Sequence, residues 1–143
     1  MNKILPQTST FIDNIHQQII NSYFSYLNNR NFQEVANLFS LQGSLHPPFE
    51  KEICGRGAIR RYLEAEAIGI QAFPQSINVQ SNPAGCIFDE DSQISYQVMG
   101  YVKTSFFTVN VGWSIQLNNK QEIVSVEVKL LADLQELLGL KVS

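Results

Sequence analysis

The chain has 143 residues, the length of one domain with room for a sizeable core; 44% of them are apolar, and nine Phe and five Tyr against one Trp forecast aromatic-rich packing. Ten Lys and Arg against thirteen Asp and Glu leave a net charge of −3 with no basic run, which argues against a nucleic-acid partner. No apolar run approaches the roughly 18 residues of a membrane span, MNKILPQTSTF lacks the apolar stretch of a signal peptide, and the expected location is the cytoplasm.

Met1–Thr10 is polar with one proline and is expected to form an arm reaching about residue 11. From Ile12 onward, Ile15, Ile19, Tyr23 and Leu27 recur every three or four residues, and Ile20 and Phe24 widen the stripe. This predicts a long amphipathic helix ending near Asn28 and Asn29. His16, beside Gln17 and Gln18, is expected to face solvent. Asn31 with Glu34 has the shape of a capping box, and Phe32, Val35, Ala36, Leu38 and Phe39 supply the face of a short second helix. Gln42-Gly43 breaks it, Ser44-Leu45 begins an extended segment, and the paired prolines of His46-Pro47-Pro48-Phe49 exclude helix interior. A third helix is predicted over Ala58–Ala67, behind Gly55-Arg56-Gly57. There Ile59, Tyr62, Leu63 and Glu66 share one face, so a carboxylate ends the apolar stripe, either reaching water at the rim or meeting a cation on a partner.

After Pro74 the pattern turns to β: Ile77 and Val79, Cys86 to Phe88, then Ile94, Tyr96, Val98 and Gly100. Thr108–Leu117 is the clearest strand, with Val109, Val111, Trp113, Ile115 and Leu117 on one face, so the only tryptophan lies inside and its indole N–H needs an acceptor. A turn at Asn118–Gln121 leads to a last strand in which Val124, Val126, Val128 and Leu130 alternate with Ser125, Glu127 and Lys129. Asp133 to Leu140 has an N-cap residue and leucines that predict a short closing helix. Three helices followed by a strand meander is an α+β layout, helices on one face of a curved, mainly antiparallel sheet, in a single domain over 1–143. A sheet curled round the first helix encloses a cavity, with the Trp113 indole and the Tyr23 phenol as polar tips on an apolar wall.

Chemistry-bearing motifs are absent: no GxGxxG, Walker loop, GxSxG or HExxH. His46 has no carboxylate near it in sequence to orient it as a base. Cys54 and Cys86 form no CxxC and read as small buried hydrophobes, with neither a zinc site nor a disulfide scaffold indicated. The strands predicted to line the cavity carry no Asp, Glu or Lys inward, which points to binding without turnover.

Tyr23, Asn31-Phe32, Leu38-Phe39, Gly43, Leu45, Pro47-Pro48-Phe49, Gly55, Glu66, Trp113, Leu130-Leu131-Ala132 and Glu136-Leu137-Leu138 together resemble the C-terminal domain of the cyanobacterial orange carotenoid proteins. The likeness runs from about Ile15 to Leu138 and is nearest to the stand-alone homologues of that domain, members of the nuclear transport factor 2-like superfamily, which implies a cone-shaped α+β fold. It implies that a ketocarotenoid, canthaxanthin or echinenone, offers its terminal carbonyl to Tyr23 and Trp113. By the same matching Leu27, Cys54, Ile70, Ala72, Phe106, Val128 and Leu130 line the tunnel, and Glu66 docks a partner. Ser105-Phe106 stands where the family has Pro-Trp, in a shorter hairpin.

The resemblance further implies a non-enzymatic carrier that exchanges pigment with thylakoid or other membranes and with helical carotenoid proteins, and that quenches singlet oxygen. A domain of this size sheathes only about half of a long polyene, so a homodimer sharing one pigment is expected. Two other functions stay open. One is a polyketide cyclase-like or isomerase-like enzyme with His46 or Glu66 as base, and the other is a ligand-free dimerisation module.

Overall fold

The computed structural model describes residues 7–80 and 93–131, with side chains from residue 14 onward. The expected strand at Cys86 to Phe88, Cys86 itself and the closing helix after Asp133 lie outside the described residues. The elements run α1 (Gln7–Asn28), α2 (Phe32–Asn37), β1 (Phe39–His46), β2 (Ile53–Cys54), α3 (Arg56–Glu66), β3 (Gln71–Val79), β4 (Gln93–Lys103), β5 (Thr108–Asn118) and β6 (Ile123–Leu131). The strands form one sheet in the order β2-β1-β6-β5-β4-β3, antiparallel throughout except for the parallel pair β1 and β6. This is the expected mixed α+β architecture, three helices on a curved open sheet.

Helix α1 begins at Gln7, inside the stretch expected to be an arm. It stops where predicted, in a Schellman turn: Asn31 N–H donates to Tyr26 C=O (2.8 Å), Arg30 N–H to Leu27 C=O (3.1 Å), and Arg30 takes the left-handed conformation at φ 61°. His16 is fully buried, contrary to the expectation of a solvent-facing side chain. It precedes Ile20, Tyr23, Phe24 and Leu27 by four, seven, eight and eleven residues, which places it on the same stripe, and its Nδ1 lies 2.9 Å from the Tyr96 hydroxyl on β4. The polar neighbours Gln17 and Gln18 carry no information about His16, because adjacent helical positions point about 100° apart.

Helix α2 is shorter than its apolar pattern suggests. Asn31 makes no side-chain cap; its carbonyl instead accepts from Glu34 and Val35 N–H, both at 3.1 Å. Phe39, expected on the helix, opens β1, because its backbone is taken into parallel pairing opposite Ile123. Arg56, after Gly55 at φ 93°, starts α3 two residues early and donates from Nε to the Phe39 carbonyl at 2.8 Å, tying α3 to the first strand.

Strand β3 starts at Gln71 and runs through Pro74, not after it; the sheet tolerates the proline because β3 is an edge strand with a bulge between Pro74 and Ser76. Opposite Pro74 stands Gly100, where any Cβ would strike the Phe73 carbonyl and lie 2.8 Å from Pro74 Cα. In β6 another bulge leaves Val124 without an opposite residue, since Gln116 pairs with Ser125 and Leu117 with Ile123. The inward phase is therefore Ile123, Val126 and Val128, and Val124 drops out of the expected alternation. On the inner face the rows Val98–Trp113–Val128 and Tyr96–Ile115–Val126–Leu45 form the core against α1. The outer face carries a polar ladder instead, with Ser114 donating to Gln97 (3.0 Å), Ser125 to Gln116 and Gln116 to Ser95 (both 3.2 Å).

Candidate functional site

Between α1, α3 and the inner face of the sheet lies a cavity of about 120 Å³. A cavity near 150 Å³ holds benzene, so at about 120 Å³ this one is slightly smaller than a bare six-membered ring requires, and a substituted ring enters only if the walls give or it reaches out through the open side. Leu27, Leu45, Leu63, Ala67, Ile70, Ala72, Val102 and Val128 make its wall apolar, while Pro47, Pro48, Tyr62 and Glu66 also line it, with Glu66 exposed at the mouth.

Among the residues lining this space, two that carry a polar hydrogen are deeply buried, and a third, Tyr62, is only partly so. Tyr23 and Trp113 both line it and are each 2% exposed. Among the described residues neither the phenol O–H nor the indole N–H has a hydrogen-bond partner. Their directions are set by Phe24, which stands edge-on to both rings, 5.0 Å and 89° from Tyr23 and 4.8 Å and 81° from Trp113. Perpendicular contacts of this kind are worth about 0.5–1.5 kcal/mol each and hold a ring against rotation. Phe24 is thus a positioning residue that the sequence showed only as part of the helical stripe. Burial, with Tyr62 adding, pushes the Tyr23 phenol above its ordinary range, so it stays a neutral donor. The Tyr62 phenol is also raised, first by partial burial and then by Glu50 and Glu66, which marks the mouth as acidic.

One wall is clamped by Asn28. Its amide donates to the Ala72 carbonyl (2.9 Å) and accepts from the Ala72 N–H (2.8 Å), satisfying both main-chain groups of a wall residue on an edge strand.

The fold brings together six of the residues expected to bind pigment: Tyr23, Leu27, Ile70, Ala72, Trp113 and Val128, with Glu66 at the rim. Three others stand elsewhere. Cys54 is exposed, not a small buried hydrophobe: β2 is two residues long and is the terminal strand of the sheet among the described residues. Phe106 is 91% exposed at the tip of the β4–β5 hairpin, beyond the last paired row and too far along the sheet to line the cavity. Leu130, 46% exposed, lines an outer hollow of about 260 Å³ with His46, Phe49, Glu127 and Lys129; this hollow shares Pro47, Pro48 and Val128 with the inner cavity. His46 is therefore on the outer hollow, separate from the two buried donors. Wall residues not anticipated were Leu45, Pro47, Pro48, Tyr62, Leu63, Ala67 and Val102. The apolar face of α3 signalled Tyr62 and Leu63, and the alternation of β4 signalled Val102.

No family model matches the chain. The orange carotenoid-binding protein of Limnospira maxima is 30% identical over 138 residues, which is 94% of this chain and 41% of that protein. The solved orange carotenoid protein of Anabaena (Nostoc) sp. PCC 7120, binding canthaxanthin, superposes with a TM-score of 0.71 at 30% identity, over 85% of this chain and 38% of that one. A scytalone dehydratase-like structure from Novosphingobium aromaticivorans reaches the same TM-score at 11% identity, over 90% of this chain and 89% of that one, a likeness of fold alone. The chain spans about two fifths of the length of the carotenoid-binding relatives. Fold and sequence converge on one conclusion: the chain is homologous to the orange carotenoid protein, as a counterpart of its C-terminal domain, on a nuclear transport factor 2-like fold.

Proposed function

We propose that the chain is a carotenoid-binding carrier that holds one terminal ring of a ketocarotenoid, canthaxanthin or echinenone, in the inner cavity. One observation carries this reading: Tyr23 and Trp113, two buried donors without a hydrogen-bond partner among the described residues, line a mostly apolar cavity whose other polar side chains are Tyr62 and Glu66. A ring carbonyl accepts both hydrogens at once. Burying on the order of 300 Å² of pigment contributes roughly 7 kcal/mol before ordering costs, whereas two hydrogen bonds add about 0.5–1.5 kcal/mol each. Apolar contact supplies affinity and the donors supply selection. An unsubstituted ring displaces cavity water yet leaves both donors unpaired, at about 1–3 kcal/mol each.

The polyene leaves through the mouth lined by Pro47, Pro48, Tyr62 and Glu66. Its uncovered half favours a second copy, giving a homodimer that shares one pigment, and Glu66 offers a carboxylate to a basic partner such as a helical carotenoid protein. In this reading the loaded protein passes pigment between membranes and such partners and quenches singlet oxygen through the bound polyene.

The test is the visible spectrum of the protein purified from bacterial hosts making either canthaxanthin or β-carotene. A coloured, red-shifted product is expected from the first host and a nearly colourless one from the second. A colourless protein from the canthaxanthin host, with delivery from pigment-loaded liposomes also failing, would refute the reading.

A further inference from the structure

Two adjacent phenylalanines, Phe106 and Phe107, are 91% and 60% exposed at the tip of the β4–β5 hairpin. The tip is closed on itself by Thr104. Its side-chain oxygen accepts from the N–H groups of Phe106 and Phe107, both at 3.1 Å, and the Phe107 carbonyl accepts from the Thr104 N–H at 2.8 Å and hydroxyl at 3.2 Å. These four main-chain groups keep their partners when water is withdrawn, whereas Ser105 and the Phe106 carbonyl are left to the polar headgroup layer, so the tip suits the interface and not the bilayer interior.

Strand pairing places Gln71 opposite Lys103 and Lys103 opposite Thr108, so the α3–β3 connection and the hairpin tip emerge at the same end of the sheet. That connection carries Ile68, 54% exposed, whose carbonyl accepts from Arg30 Nε at 2.9 Å. Arg30, bonded to that connection, and Lys103, on the last paired row, bring two cations to this end. Glu64 and Glu66 stand at the end of α3 that leads into it, Glu64 being paired with Arg60, and Glu34 opens α2 just after Arg30. The next row inward, Ala72–Val102, is cavity wall.

The occupant follows from shape and area. By themselves two phenyl rings bury at most about 150–250 Å² each, so the tip alone cannot make the roughly 800 Å² per partner of a stable protein interface. They project from the surface instead of lining a groove. An exposed apolar tip with most of its N–H groups paired and cations nearby suits the interfacial zone of a bilayer, where rings sink below the headgroups and cations stay among them. We propose that Phe106 and Phe107 form an interfacial membrane anchor that, with Ile68, seats the cavity-bearing end of the sheet on a lipid surface. Its purpose, shortening the path of an apolar ligand between bilayer and cavity, rests on the carrier reading; the contact itself does not.

The experiment is sedimentation of the pigment-free full chain with vesicles of phosphatidylcholine, with and without phosphatidylglycerol. The protein is expected to partition onto the vesicles, and each ring removed in Phe106→Ser and Phe107→Ser should weaken partitioning about tenfold. Circular dichroism should be unchanged, since both side chains are exposed. In a Phe106→Trp variant, vesicles should shift the new emission to the blue and brominated lipids should quench it, against the constant signal of buried Trp113. The proposal is overturned if the parent chain stays in the supernatant with both vesicle types, or if the double variant binds as well as the parent. It is equally overturned if the double variant loses self-association while vesicle binding is unaffected. Because the vesicles carry no pigment, failure here leaves the carotenoid reading standing, and a colourless protein that binds vesicles through the tip leaves the anchor standing.

Discussion

Replacing Trp113 by phenylalanine separates the indole N–H from the ring that carries it. Trp113 is 2% exposed, lies between Val98 and Val128 in the sheet and meets Phe24 edge-on at 4.8 Å. Phenylalanine keeps an aromatic ring on the same Cβ and keeps most of that edge contact, but vacates about 40 Å³, which at about 24 cal/mol per Å³ costs about 1 kcal/mol. Lost transfer free energy of the missing ring atoms brings the total to roughly 1–2 kcal/mol. For a domain of this length the melting temperature should fall by roughly 3–8 °C. In the pigment-loaded protein the loss of one hydrogen bond, about 0.5–1.5 kcal/mol, weakens retention roughly two- to tenfold. The absorption band should move to the blue, since one donor no longer draws electron density towards the carbonyl. The assays are thermal melting of the pigment-free chain and the spectrum of the loaded one. A melting temperature that falls as calculated with an unchanged band and unchanged retention would show that Trp113 is a packing ring only, and the donor assignment would be wrong.

Two further outcomes follow from the same geometry. Burial holds the Tyr23 proton in the folded state at pH values where an unfolded phenol, with its ordinary value of 10.0, has released it. Stability is therefore unaffected below about pH 10 and falls above it, by up to about 1.4 kcal/mol per pH unit for this group. Urea denaturation of Tyr23→Phe at pH 9 and pH 11 should show a shallower alkaline loss, with a smaller slope remaining from Tyr62; equal slopes would contradict the burial argument. Asn28→Ala removes both hydrogen bonds to Ala72 and should cost about 2–3 kcal/mol. It should also speed amide exchange at Ala72, and unchanged protection there would mean that the edge strand does not depend on the clamp.

Local pattern in the sequence reports much of what faces the cavity. The helical stripe through Ile20, Tyr23 and Leu27 and the alternation around Trp113 place both donors inward, because local periodicity reports which way each side chain faces. His16 was misread from its polar neighbours although its spacing to Ile20 and Phe24 put it on the buried stripe. The expectation for Cys54, Phe106 and Leu130 rests on the family resemblance alone. Nothing in the local pattern of those segments says how far each lies from the cavity.

What the sequence by itself determined is therefore the set of elements, the face that each one buries and the identity of the two inward donors, all properties of short segments with a period of 2 or 3.6. Only the tertiary structure decided that β1 lies parallel to β6, that Asn28 clamps Ala72, that Phe24 orients both donors and that Phe106 and Phe107 are left outside. Each of these joins residues far apart in the chain or concerns the absence of a neighbour. A contact between distant residues is settled by how the whole sheet closes over the helices, and an empty space beside a side chain depends on every element that did not fill it.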